Sequence, residues 1–252
     1  MKNLLMLRTS TLHRRTARLA VIGLFAALLS AAPFSAAFAA TAPALGSAAS
    51  FEVLAGTRVT CTDSALAGNV GVWTGTPPDV VQTSCPITGT IDAGNGVAKQ
   101  AYIDFLSAYH ALSLVPCGST LSGDLSGQVL TPGVYCVDAA STTTSGTLTL
   151  NGSSTDTWIF KIGTLGTGAL TGTSFSVVMA DGGQVPCNNV YWWVAEGVTM
   201  TDSQFVGTIL AGAAITITRG TFHGDALATA AVTLKDTTVT GCAANGGGGK
   251  SH

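Results

Sequence analysis

Few residues in this chain are equipped for acid–base or nucleophilic chemistry. Beyond position 39 there are three histidines, His110, His223 and His252, two glutamates, Glu52 and Glu196, and eleven aspartates. Cleavage of polysaccharides needs paired carboxylates, or a base working with a bound cation. Asp181, Asp202, Asp225 and Asp236 are the set to test for convergence, but Asp at a turn ordinarily accepts hydrogen bonds from its own backbone. His223 stands in Phe222-His223-Gly224 without a Ser or Cys nucleophile motif beside it. Tyr109 and His110 fall on a helix-patterned stretch and read as structural. No catalytic residue, metal ligand set or cofactor is assigned, and the chain is not expected to be an enzyme. The six cysteines, Cys61, Cys85, Cys117, Cys136, Cys187 and Cys242, contain no C-x-x-C pair, which argues against a zinc or thioredoxin-like site. Their even number points to disulfides. Sequence cannot choose the pairing, and nearest-neighbour pairing is the working expectation.

The residues with a regular spacing are hydroxyls. Asn188–Gln204, Phe205–Thr221 and Phe222–Thr238 align without gaps at a period of 17. Val198, Ile215 and Val232 share a column, as do Met200, Ile217 and Leu234. Between and beyond them stand Thr199, Thr216 and Thr233, then Thr201, Thr218 and Lys235. On a strand successive side chains point to opposite faces, so the aliphatic residues go in and the threonines out. One such unit cannot bury its own apolar side, whereas stacked units cover each other. Stacking sets neighbouring coils about 4.8 Å apart and outward threonines of one strand about 6.6 Å apart. Threonine is stiff at χ1, so such a grid loses little side-chain entropy on binding. A periodic solid is its natural partner, ice above all.

The elements that must position this grid follow from the rest of the chain. Phe51–Leu54, Arg58–Thr60 and Gly68–Val72 read as short strands, with loops at Thr76-Pro77-Pro78 and Gly94-Asn95-Gly96. Residues 97–114 change period: Tyr102, Phe105, Leu106, Tyr109, Leu112 and Leu114 predict one long amphipathic helix packed on a sheet, stopped by Pro116-Cys117-Gly118. From Leu121 the chain reads as strand, turn, strand. Thr147–Leu150 and Thr157–Gly163 are similar in kind to the later repeats but do not hold the period.

Residues 1–39 read as a secretory signal peptide: Lys2, Arg8, Arg14, Arg15 and Arg18, then an apolar Leu19–Leu29, then Ala37-Phe38-Ala39 as a cleavage signal. The expected location is extracellular or periplasmic. Removing this segment removes five of the 11 Lys+Arg and none of the 13 Asp+Glu, leaving a net charge of −7. A negative chain without a basic cluster is not expected to bind nucleic acid or a membrane surface, and a monomer is expected. The domain is placed at 45–242, and 243–252, rich in Gly, is placed as a flexible tail.

The stretches Leu45–Gly56, Gly68–Gly71, Leu130–Tyr135, Ser145–Leu150, Trp158–Gly163 and Phe205–Ala211 resemble the microbial ice-binding proteins with a discontinuous right-handed β-solenoid. The similarity covers about Leu45 to Cys242. It implies an all-β fold: a right-handed β-solenoid of stacked coils with one long α-helix packed alongside. It also implies an ice-binding face, in some members with a T-A/G-x-T/N pattern. Thr171-Gly172-Thr173-Ser174 comes close to that pattern, and Thr218-Arg219-Gly220-Thr221 keeps both outer threonines. Thr201-Asp202-Ser203-Gln204 keeps the first, and Lys235-Asp236-Thr237-Thr238 the last. The candidate ice-binding residues are therefore Thr171, Thr173, Ser174, Thr199, Thr201, Thr216, Thr218, Thr221, Thr233 and Thr238. Charged groups hold liquid-like water, so the expected activity is moderate. The rival reading is an adhesion or carbohydrate-binding module, which would need exposed aromatics among Trp73, Trp158, Trp192 and Trp193.

Overall fold

The alternation of aliphatic and hydroxyl residues makes strands of Val198–Val206, Ile215–His223 and Val232–Thr240, which pair in parallel and in register. Thr199 lies beside Thr216 and Thr216 beside Thr233; past the middle, Phe205 lies beside Phe222 and Phe222 beside Val239. The 17-residue period is thus one turn of a coil. The computed structural model describes residues 40–138 and 141–242, with the backbone alone at 141–143. The expected leader at 1–39 and tail at 243–252 lie outside the described residues.

The coils build two nine-stranded parallel sheets. In the second sheet the long strands bend at one residue with left-handed backbone, at Asp202, Arg219 and Asp236 (φ 51°, 54° and 50°). Ser174, Asp63 and Ser84 adopt the same conformation. Asp tolerates it because its short polar side chain bonds locally; Arg219 does so at a cost. Each bend splits a strand into a segment before it and a segment after it, which face different ways. The segments before the bend form the grid face, and those after it the side face.

The interior strands of the first sheet are buried on both sides, which explains their unbroken apolar runs. In Trp158–Ile162 and Val190–Val194 every residue is buried. Phe160 and Trp192 turn inward and stack at 4.1 Å between centroids. Ile159, Tyr191 and Trp193 turn outward against the helix. That helix, α1, spans Gly96–Leu114, with the Asn95 side chain accepting a hydrogen bond from the Ala98 amide at 2.9 Å.

The buried stripe of α1 differs from the sequence expectation. It is Ala98, Ala101, Tyr102, Phe105, Ala108 and Leu112, while Leu106 and Leu114 are exposed. Leu114 lies nine residues from Phe105, two and a half turns on and so on the opposite side. Alanines flank Phe105 instead, and their small size lets the helix backbone approach the sheet.

The order of the coils is not the order of the chain. Val53–Ala55 pairs on one edge with Val70–Val72 and on the other with Ala226–Ala228. The N-terminal coils therefore continue the stack beyond the C-terminal coil. Helix α1 then carries the chain back along the stack: Tyr102 donates to the carbonyl of Thr229, Tyr109 to that of Val194, and Lys161 to those of Ser113 and Val115. Its 19 residues span about 28 Å, close to six coil spacings.

The three disulfides follow the nearest-neighbour expectation: Cys61–Cys85, Cys117–Cys136 and Cys187–Cys242. The first two lie at opposite ends of the stack, each next to an edge strand, Val80–Thr83 or Ser119–Leu121.

Candidate functional site

Register builds the grid face rung by rung. One outward column runs Val81, Thr60, Thr233, Thr216, Thr199, Thr171, and Thr143 holds the next register position. The second runs Thr83, Thr62, Lys235, Thr218, Thr201, Thr173, Ser145. The inward partners, Val59, Cys61, Val232, Leu234, Ile215, Ile217, Val198, Met200 and Leu170, are buried. Gly172 supplies no side chain inward because a Cβ there would meet the Met200 sulfur at 2.4 Å. Thr199, Thr173 and Thr83 are exposed, and Thr60, Thr62, Thr171, Thr201, Thr216, Thr218 and Thr233 are half-buried by their neighbours.

Seven of the ten expected residues share this face: Thr171, Thr173, Thr199, Thr201, Thr216, Thr218 and Thr233. Ser174 occupies the bend itself. Thr221 and Thr238 lie past the bend, on the side face, beside each other and in register with Gln204. The four-residue pattern therefore straddles a corner and does not run along one surface. The side face also carries Val178, Val206 and His223, and so lacks the uniform hydroxyl columns.

The repeat alignment missed Thr60, Thr62, Thr83 and Ser145. The signal was present in Val59-Thr60-Cys61-Thr62, which repeats the alternation of Val198-Thr199-Met200-Thr201. The long sequence separation hid it.

The corner is charged. Successive coils place Ser84, Asp63, Asp236, Arg219, Asp202 and Ser174 there. Arg219 bonds Asp202 through both guanidinium and carboxylate forks, which holds the Asp202 carboxyl below its ordinary range and raises Arg219. Just inside the corner runs a buried hydroxyl ladder. The Ser64 hydroxyl donates to the Thr62 carbonyl and accepts from the Thr237 amide. The Thr237 hydroxyl donates to the Gly220 carbonyl, and the Ser203 hydroxyl to the Thr201 carbonyl. These bonds brace the edge of the grid.

The carboxylates weighed for catalysis do not converge. Asp202 and Asp236 stand at the corner, flanking Arg219. Asp225 is buried, accepting from the Thr208 hydroxyl at 3.0 Å and the Cys242 amide at 3.2 Å. Asp181 caps a turn at the Gly183 amide. No group of three or more His, Cys, Asp or Glu capable of holding a metal ion occurs among the described residues. The aromatic row required by the carbohydrate reading is also missing: Trp158, Trp192 and Trp193 are buried, and Trp73 is half-buried and stacked on Tyr102. No helix among the described residues is long and apolar enough to cross a membrane.

The chain resembles known proteins over most of this structure. It is 37% identical over 187 residues to an ice-binding protein of Nostoc sp. (strain HG1), covering 70% of this chain and 65% of that protein. It is 35% identical over 167 residues to the ice-binding protein K3-B1 of Typhula ishikariensis, covering 65% of this chain and 60% of that protein. The chain thus spans less than two thirds of the length of either curated relative. The crystal structure of an ice-binding protein from Antarctomyces psychrotrophicus superposes with a TM-score of 0.69 at 31% identity, covering 79% of this chain and 98% of that one. The ice-binding-like family model matches residues 53–240, which take in the whole coil stack and its helix. The chain belongs to the ice-binding-like family.

Proposed function

We propose that the protein adsorbs to ice through the grid face and thereby inhibits crystal growth and recrystallisation. The observation that carries this reading is the pair of outward hydroxyl columns, held in register over successive coils and interrupted by a single charge, Lys235. Backbone hydrogen bonds fix the spacing in both directions, and the half-buried threonines are pre-ordered, so adsorption costs little conformational entropy. The contact residues are Thr171, Thr173, Thr199, Thr201, Thr216, Thr218 and Thr233, extended by Thr60, Thr62 and Thr83. The protein acts as a non-enzymatic monomer outside the cell, with residues 1–39 serving as its export signal. Moderate activity follows from Lys235 and the charged corner.

The test is recrystallisation inhibition and single-crystal shaping by the purified mature protein. Faceted crystals and small grains are expected; round growth at high protein concentration would sink the reading. Thr218→Tyr places a bulky ring in the middle of the grid. It should weaken the activity with an unchanged circular dichroism spectrum.

A further inference from the structure

The second column changes chemistry at one rung. Thr83 and Thr62 stand on one side of Lys235, and Thr218, Thr201 and Thr173 on the other. That rung is also the chain junction, where Val232–Thr240 meets Val59–Thr62, so Lys235 lies between the C-terminal coils and the N-terminal coils. Among the described residues Lys235 makes no ion pair or side-chain hydrogen bond, and it is exposed while both its neighbours in the column are half-buried.

Resting on the proposed ice contact, we infer that Lys235 divides the grid into two fields and sets the strength of adsorption. The larger field is Thr171, Thr173, Thr199, Thr201, Thr216 and Thr218; the smaller is Thr60, Thr62 and Thr83. A lysine ammonium is a compact, strongly hydrated charge on a flexible four-carbon stem. Bringing the surface against a solid requires that stem to be ordered and its ammonium to shed water. Neither step applies to threonine, whose hydroxyl lies close to the sheet. Thr233, two residues away on the same face of the strand, keeps the first column intact across the junction, so the two fields stay aligned and only the second column is broken. Threonine fits at 235 because the same register position carries Thr218 and Thr62 on the adjoining coils.

The experiment compares wild type, Lys235→Thr, Thr62→Tyr, Thr218→Tyr and the double variant Lys235→Thr/Thr62→Tyr. The readout is the concentration giving half-maximal recrystallisation inhibition, with circular dichroism and thermal melts confirming the fold. Lys235→Thr should lower that concentration by about two- to tenfold, the change corresponding to the ordering of one long side chain. Thr62→Tyr should weaken the wild type less than Thr218→Tyr does, and should abolish the gain in the Lys235→Thr background. Equal activity of Lys235→Thr and wild type would overturn the inference. So would a loss from Thr62→Tyr in the wild type as large as that from Thr218→Tyr, since the fields would then already act together. If Thr218→Tyr leaves wild-type activity intact, the ice-contact face itself is misplaced and the inference falls with it.

Discussion

Arg219 grips Asp202 on the neighbouring coil through two parallel hydrogen bonds, Nε to Oδ1 at 2.7 Å and Nη2 to Oδ2 at 3.0 Å. Both residues sit at the bend in left-handed backbone, so the pair crosses from one coil to the next along the edge of the grid. An unpaired arginine at the edge of the grid would hold liquid-like water there, and Arg219→Ala would then improve binding. The pairing reverses that expectation. Removing Arg219 alone leaves Asp202, Asp236 and Asp63 uncompensated along one corner. Arg219→Ala should leave recrystallisation inhibition unchanged or weaker. Asp202→Asn/Arg219→Asn, which removes both charges and keeps residues that accept a positive φ, should improve it. A gain from Arg219→Ala equal to that of the double variant would contradict this.

Glu52 gives stability a dependence on pH. It is buried at the chain junction, its carboxylate accepts from the Asn69 amide, and Gly68 and Gly241 have no room for a side chain against it. Burial raises its pKa above the ordinary 4.5, against the opposing hydrogen bond. A raised carboxyl binds more protons folded than unfolded. Its contribution is therefore fully present below pH 4.5 and is lost as pH rises through the raised value. Urea denaturation as a function of pH should show Glu52→Gln gaining on wild type with rising pH and converging with it in acid. Parallel curves would rule this out.

Lys161 fastens the helix to the sheet. The residue is 4% exposed, and its ammonium donates to the carbonyls of Ser113 at 2.9 Å and Val115 at 2.6 Å, at the end of α1. It also lies 5.9 Å from the centre of the Trp193 ring. Lys161→Met keeps most of the packing but strands two carbonyls, and should cost about 2–3 kcal/mol. Thermal melts would measure the loss, and Trp193 fluorescence would report loosening of the helix. Ice activity of the folded variant should persist, because α1 covers the other sheet.

Disulfide removal should act on the ends of the stack. Replacing Cys117 and Cys136 by Ser releases the edge strand Ser119–Leu121 from its staple and should cost about 3 kcal/mol. Hydrogen exchange should show faster exchange at Ser119–Leu121 while Val198–Thr201, in the middle of the stack, stays protected. Uniform loss of protection would show that the staple supports the whole stack.

The solenoid and three of its coils were legible because Val198-Thr199-Met200-Thr201, Ile215-Thr216-Ile217-Thr218 and Val232-Thr233-Leu234-Lys235 repeat at a fixed spacing. Rungs of the same kind at Thr171 and Thr173 escaped the period because Gly163–Gly168 and Asp181–Pro186 lengthen their loops. Thr60 and Thr62 escaped because stacking order departs from chain order. The corner was invisible for another reason: Asp202 stands among the aspartates read as turn residues, but Arg219 carries no turn signal, and only the positive φ repeated at both shows that the whole surface turns there. That turn separates Thr221 and Thr238 from the threonines they follow in sequence. The helix was read at nearly its true limits, but its buried stripe was not, because Leu114 lies out of phase with Phe105 and alanines take the positions beside Phe105 against the sheet.

The junction between Val53–Ala55 and Ala226–Ala228 joins residues about 170 positions apart. A repeat stack built in chain order closes by nearest-neighbour contacts and can grow from one end. Here the inner edge of the N-terminal coils has no partner until the C-terminal coil has formed, so the longest loop closes last. Non-local closure of this kind slows folding. Until it occurs, two unpaired strand edges face solvent, one on each side of the future junction, and each is a template for the wrong partner. Folding should be late, slow and concentration-sensitive. The weakest moment in the life of the chain comes while the coils on both sides of Lys235 are built and not yet joined.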